Sequence, residues 1–188
     1  MSRTERGDVE RDIPLEREGQ YTRLDELGRG GQSVVIRAFD EFITREVALK
    51  ELVTFRGAGA AEAEVSQEGA ATMRKRFLRE ARLLARLDHP GIASVHELAR
   101  RPDGTVFYAQ KLVRGETLKK RLARCTKRSE RRELLPHLIA ACQAVAYAHS
   151  HRVIHRDLKP ANIMLGPFGE TVVVDWGLAK HQMDPEEV

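Results

Sequence analysis

Three charged residues sit where apolar patterning would keep charge out, and each points to chemistry. In Val47-Ala48-Leu49-Lys50-Glu51-Leu52 the two-residue period of a strand puts Ala48, Lys50 and Leu52 on one face, so Lys50 stands among apolar neighbours. Downstream, Phe77, Ala81 and Leu84 form a stripe at helical spacing, and Glu80 edges it. Burying either charge alone costs several kcal/mol, and a Lys50–Glu80 ion pair joining strand to helix offsets that cost. Two side chains snorkelling to the surface satisfy the same spacing. The third residue, Asp175, ends the apolar run Val172-Val173-Val174 and precedes Trp176-Gly177. A carboxylate there suits a metal ligand, and it suits an Asp-initiated turn almost as well.

Positioning these groups takes elements that the pattern supplies in order. Strands are predicted at Tyr21–Leu27, Val34–Phe39 and Glu46–Val53, the first two joined by a glycine-rich turn. Residues 56–71, rich in Ala, Gly and Glu, read as a flexible insertion. A helix follows from about Thr72 to Leu87 and stops before His89-Pro90-Gly91, because a proline disfavours helical geometry in the residue before it. Strands at Ala93–Ala99 and Thr105–Lys111 flank a Pro-Asp-Gly turn. A long apolar helix covers about Glu133 to Ser150, and segments at Ile163–Leu165 and Thr171–Val174 suggest a small hairpin. Antiparallel strands with one helix, then helices, argue an α+β fold in two lobes.

Composition narrows the function class. The 188 residues suffice for one good core, and 41% hydrophobic residues argue against wholesale disorder. Residues 1–19 are almost all polar or charged and read as a disordered leader. No apolar run approaches bilayer length and no signal peptide pattern opens the chain, so the expected location is cytoplasmic. Cys125 and Cys142 lack metal-ligand spacing and read as free thiols. The net charge of +4 is unevenly spread, with eight basic residues against Glu130 between Lys119 and Arg132. No aromatic residues interleave them, so this run reads as a solvated surface and nucleic acid is not an expected partner.

Residues 155–163 read His-Arg-Asp-Leu-Lys-Pro-Ala-Asn-Ile. Here the sequence resembles the eukaryotic-like serine/threonine protein kinases common among bacterial signalling proteins: His155, Arg156, Asp157 and Asn162 meet the catalytic-loop pattern, and Lys159 marks the serine/threonine type. Other elements of that family follow in order. Leu27-Gly28-Arg29-Gly30-Gly31-Gln32-Ser33-Val34-Val35 resembles the glycine-rich loop, with Ser33 in place of its third glycine. Val47-Ala48-Leu49-Lys50 is similar to the lysine strand, Glu80 falls at the helix glutamate, and Gln110 to Val113 resembles the hinge. Asp175-Trp176-Gly177 stands for Asp-Phe-Gly. The resemblance implies a complete N-terminal lobe over about 20–113 and part of a helical C-terminal lobe over about 114–188.

The resemblance also implies roles. Gly28 and Gly30 would let backbone amides approach phosphate, with Ser33 stiffening or narrowing the loop. Lys50 would hold the α- and β-phosphates of ATP and Glu80 would fix Lys50. Asn162 and Asp175 would bind Mg²⁺, a hard cation suited to their oxygens. Asp157 would accept the proton of a protein Ser or Thr hydroxyl, and Lys159 would neutralise charge on the transferring phosphoryl. Adenine would lie between Val35 and Ala48 on one side and Met164 on the other, with Lys111–Val113 backbone reading its edge and Gln110 behind. His149, His151 and His155 could be drawn as a metal cluster, but His155 already belongs to the motif.

The chain runs out soon after Asp175-Trp176-Gly177, before the rest of the activation segment and the later helices that the resemblance implies. Leaving ~500 Å² of apolar surface uncovered would cost about 12 kcal/mol, rivalling a typical domain's stability. A truncated chain of this kind is expected to be marginal or completed by a protein partner. Two functions fit: ATP-dependent phosphorylation of protein Ser or Thr, or an ATP-binding regulatory module without turnover.

Overall fold

The computed structural model describes residues 13–53 and 67–182. The chain divides into two compact units, Met1–Ala70 with His96–Gln110 and Ala71–Val95 with Lys111–Val188. The resemblance implied a division near residue 113, with the helix that carries Glu80 on the side of the sheet, whereas here Ala71–Val95 falls in the second unit.

The first unit is built on a five-stranded sheet of order β1-β2-β3-β5-β4, formed by β1 (Tyr21–Arg29), β2 (Ser33–Asp40), β3 (Arg45–Leu52), β4 (Val95–Arg100) and β5 (Val106–Lys111). Burial alternates along β2, with Val34, Ile36, Ala38 and Asp40 buried and the residues between them half-buried, as a strand with one face on a core requires. On that face Ala38, Val47 and Leu49 join Ala99, Phe107 and Ala109 in a fully buried cluster. Tyr21 closes it edge-on to Phe107, ring centroids 5.8 Å apart. Asp40 accepts from the backbone N–H groups of Phe42 and Ile43, holding the tight β2–β3 turn.

In the second unit lies most of α1 (Gln67–Leu84), whose residues Phe77, Leu78, Ala81 and Leu84 are buried. Then come β6 (Glu116–Thr117), α2 (Leu118–Arg124), α3 (Arg128–Arg132), α4 (Leu135–Ser150), β7 (Val153–Ile154), β8 (Ile163–Leu165), β9 (Thr171–Val173) and β10 (Lys180–His181). Strands β6, β8 and β9 form one small sheet, and β7 pairs with β10. Thr117 caps α2 by accepting from the Lys120 N–H at 3.2 Å. Helix α4 carries Pro136 in its first turn, where no amide hydrogen is needed. It buries only small side chains, Ala141, Ala144 and Ala148, which lets backbone come close: a Cβ on Gly91 would lie 2.8 Å from that of Ala144. No helix among the described residues is long and apolar enough to cross a membrane.

The α+β class and the order of elements agree with the sequence reading, with two corrections. Residues 13–19, expected to belong to a loose leader, are ordered. Ile13 is buried, Leu15 bridges to Arg100, and backbone bonds run from Glu16 N–H to Arg100 O and from Arg100 N–H to Pro14 O, both 2.9 Å. A polar stretch orders here because its partners lie some eighty residues away, out of reach of any local pattern. Helix α1 begins at Gln67 rather than Thr72, so only part of the expected insertion remains, and it lies outside the described residues. Residues 1–12 lie outside them too.

Gly115 has the tightest requirement in the fold. Its φ is +121°, and a Cβ there would sit 1.9 Å from the carbonyl oxygen of Leu165. Both the left-handed backbone and the clash with β8 exclude a side chain. Gly115→Ala is expected to cost at least about 2 kcal/mol, read as a lower urea midpoint.

Candidate active site

Predicted site residues occur in both units. In the first, the β1–β2 turn carries the glycines. Gly28 pairs with Val35 and Arg29 with Val34, and the turn closes through Gly30 N–H to Ser33 O at 2.8 Å. Its tip is tied to the end of β3, where Val53 N–H donates to Gln32 O at 3.0 Å. Gly28, Gly30 and Gly31 all lack positive φ, and a Cβ on any of them would meet nothing closer than 3.7 Å. The turn's own backbone therefore does not demand glycine. Bare backbone at these positions suits a ligand that approaches closely, and amides free of side chains suit phosphate oxygens.

Behind the turn, Val35 stands opposite Lys50 in the β2–β3 ladder, and Ala48 lies two residues from Lys50 on the same face. Lys50 is 7% exposed, so of the two readings that the spacing left open for this charge the buried one holds. Gln110, near the end of β5, is half-buried.

In the second unit, Glu80 is buried on α1 at 5% exposure. Lys111 ends β5 exposed, its N–H donating to Ser94 O at 2.9 Å, and Val113 just beyond is half-buried. Met164 is half-exposed between buried Ile163 and Leu165 on β8, because strand alternation turns it to the other face.

The catalytic-loop residues come together around Asp157. Its Oδ2 accepts from Lys159 Nζ at 2.7 Å and from Asn162 Nδ2 at 3.1 Å, while its backbone oxygen also accepts from Asn162 Nδ2 at 2.9 Å. A one-turn 3-10 helix at Pro160–Asn162 brings Asn162 back toward Asp157. The Lys159 ammonium, then the Asn162 amide, hold the Asp157 carboxyl below its ordinary 3.8. Lys159 is held above 10.5 by the same bond. A carboxylate this acidic is ionised at neutral pH and ready to accept a hydrogen bond from a hydroxyl.

Asp175 is anchored through its neighbours. Val174 N–H donates to Asn162 O at 2.9 Å, joining the stretch before Asp175 to the catalytic loop. Buried His155 spans the same two segments, its Nε2 on Val174 O at 3.1 Å and its Nδ1 accepting from Asp157 N–H at 3.3 Å. These bonds select the tautomer with the proton on Nε2. Burial lowers the ring's pKa below 6.5, against the raising effect of the Val174 carbonyl and the Asp175 and Asp157 charges. Asp175 itself is exposed, with φ +61°. His149 and His151 lie at the end of α4, the latter stacked on Tyr147 at 4.4 Å.

A divalent cation fits what is present. Asn162 directs its amide nitrogen at Asp157, which leaves its oxygen for a cation, and Asp175 offers a carboxylate. Both are hard oxygen donors of the kind Mg²⁺ prefers. Among the described residues no group of three or more His, Cys, Asp or Glu forms a metal cage.

The residue that sequence reasoning missed is Trp176. It is buried, stacks on His155 at 4.5 Å between centroids, and donates its indole N–H to Val173 O at 3.1 Å. Its signal was in the sequence: tryptophan carries a donor that phenylalanine lacks. Arg156 Nε donates to Leu178 O at 2.5 Å.

Two outcomes follow from these bonds. Trp176→Phe should cost about 1–2 kcal/mol by leaving Val173 O without its donor, measured by urea unfolding. Folded His155 stays neutral where the unfolded ring takes a proton. The unfolded state then binds more protons, so stability should fall as pH drops below 6.5 and level off once the folded ring also protonates. Urea midpoints measured on both sides of pH 6.5 should show part of this slope missing in His155→Gln.

Comparison with known proteins bears on the whole arrangement. Residues 21–188 match the protein kinase domain family. The chain is 35% identical over 179 residues to the serine/threonine-protein kinase PknD of Protochlamydia amoebophila (strain UWE25), covering 89% of this chain and 17% of that protein. PknD of Chlamydia trachomatis serovar L2b is 37% identical over 171 residues, 85% of this chain and 17% of the relative. PknD of Chlamydia muridarum is 36% identical over 181 residues, 89% of this chain and 18% of the relative. The chain spans less than a fifth of the length of these relatives. With a family match running from β1 through the Asp175-Trp176-Gly177 triplet and the catalytic loop bonded as described, this chain belongs to the protein kinase family.

Proposed function

We propose that the chain transfers the γ-phosphoryl group of Mg-ATP to serine or threonine hydroxyls of proteins. The observation that carries the reading is the Asp157 carboxylate, ionised and held by Lys159 and Asn162 within one turn of chain. Phosphoryl transfer asks for positioning and charge stabilisation more than for covalent participation by the protein. Asp157 orients the substrate hydroxyl and accepts its proton. Lys159, already beside that carboxylate, carries positive charge toward the transferring group. Asn162 and Asp175 hold Mg²⁺, which when bound neutralises the phosphates. Lys50 contacts the α- and β-phosphates from β3, so that this buried charge meets an opposite one when the nucleotide is bound. The bare backbone at Gly28 and Gly30 covers the phosphates, beside Ser33. Val35, Ala48 and Met164 supply apolar surface for adenine, with Gln110, Lys111 and Val113 along its edge.

The test is transfer of labelled γ-phosphate from Mg-ATP to the chain and to a generic protein substrate, with Asp157→Asn alongside. The expected result is transfer on Ser or Thr that falls by at least about 10²-fold in the variant and vanishes on chelation of Mg²⁺. Mg-ATP binding without transfer by folded protein would leave a nucleotide-binding regulatory module instead.

A further inference from the structure

The second unit carries a cleft of about 660 Å³, lined among others by Glu116, Arg121, Arg124, Leu134, His137 and Pro167. It contains none of the catalytic groups. Its inside is close to neutral. Glu116 holds Arg124 at 3.1 Å and Arg121 at 4.0 Å, and His137 shares a 2.7 Å hydrogen bond with Thr171. Leu134, Leu165 and Pro167 give it apolar wall.

The elements that lead into the cleft are more basic. Lys119, Lys120, Lys127, Arg128, Arg131 and Arg132 are exposed on α2, α3 and the link between them, and none forms an ion pair with a described residue. The one acid in this stretch, Glu130, is spent on the backbone: it accepts from the N–H groups of Thr126 at 2.7 Å and Lys127 at 3.1 Å. Those bonds hold its carboxyl below the ordinary value. Arg131 and Arg132 run directly into Glu133 and Leu134 of the cleft wall. On the β8–β9 turn, between the lining residues Pro167 and Gly169, Phe168 is 90% exposed. The turn is braced, with Gly166 N–H on Glu170 O at 2.9 Å and Phe168 N–H on the Glu170 carboxylate at 2.8 Å, so the ring is presented from a fixed backbone. Leu135, Leu138 and Ile139 on α4 are exposed.

We propose that this cleft and the α2–α3 cations dock an acidic segment of a partner protein, an apolar side chain entering the cleft while flanking carboxylates meet those cations. Charge complementarity names the occupant. Unpaired cations on the elements that lead into a neutral, partly apolar hole select a ligand that is acidic at its ends and apolar at its centre. Nucleic acid fits less well, because no aromatic residue interleaves the cations to stack bases. The site needs no phosphoryl transfer, so its test is independent of the catalytic reading.

The experiment is fluorescence anisotropy of the full chain with a labelled short peptide bearing acidic residues on both sides of a central Leu-Phe pair. Three controls accompany it: the same peptide with a Ser-Ser centre, a single-stranded RNA oligonucleotide, and the double variant Arg128→Glu/Arg131→Glu, its fold checked by circular dichroism. Salt-sensitive binding is expected, weakened at least about tenfold by the Ser-Ser centre and again by the charge reversal. Phe168→Ser should weaken the Leu-Phe peptide and leave the Ser-Ser peptide unchanged. Equal binding of both peptides, preference for the RNA, no effect of the charge reversal, or no peptide binding would each overturn the proposal.

Discussion

One buried imidazole holds the two acidic parts of the site in register. His155 bonds on one side to the backbone of Asp157 and on the other to the carbonyl just before Asp175. Both bonds require a neutral ring with its proton on Nε2, and burial among Trp176, the catalytic loop and the end of β9 keeps it neutral. Were the ring charged, Nδ1 could no longer accept from Asp157 N–H. Asn162 closes the same circuit, taking Val174 N–H on its backbone oxygen and giving its amide hydrogens to Asp157. Trp176 adds a fixed plate over His155 and a bond to Val173. Half-buried Asp157 and exposed Asp175 thus rest on a buried, hydrogen-bonded polar framework, the arrangement that makes such networks rigid.

The first unit manages buried charge by a different route. Glu51, on the opposite face of β3 from Lys50, is buried and receives Arg101 at 2.6 Å and Arg23 at 3.0 Å. Arg101 also meets Glu16 at 3.3 Å and lies over the Phe107 ring at 5.0 Å. Glu16 is held above the ordinary carboxyl pKa by burial, against the pull of Arg101. This chain of charges fastens the segment before β1 to the sheet, together with its backbone bonds to Arg100 and the bonds from Gln20 and Tyr21 to Glu97. β3 therefore has one face committed to structure and, in the proposed function, one face committed to phosphate.

Polar and apolar surface in the second unit are divided along α4. The buried side is nearly all alanine, so helix and strands approach closely, while the larger Leu135, Leu138 and Ile139 face out. A helix apolar on both sides calls for cover on both. Leu134 and His137, at the start of this helix, line the proposed docking cleft.

The catalytic loop was legible in the sequence because its interactions are short-range. Asp157, Lys159 and Asn162 bond to one another across two to five residues, so spacing alone nearly dictates their meeting once Pro160 starts the turn. The burial of Lys50 was legible from strand alternation, and α4 from its apolar run. Tertiary structure alone decided the long-range partners. The sheet order places β3 beside β5, which sets Glu51 against Arg101 fifty residues on, and long-range backbone bonds order residues 13–19, which read as disordered in isolation. His155 finds Val174 only because β8 and β9 pair and the triplet folds back. The α2–α3 cations looked like solvated charge in the sequence and are still solvated. What the fold added is a neutral, partly apolar hole, built from residues spread between Gly115 and Gly169 that no local pattern connects.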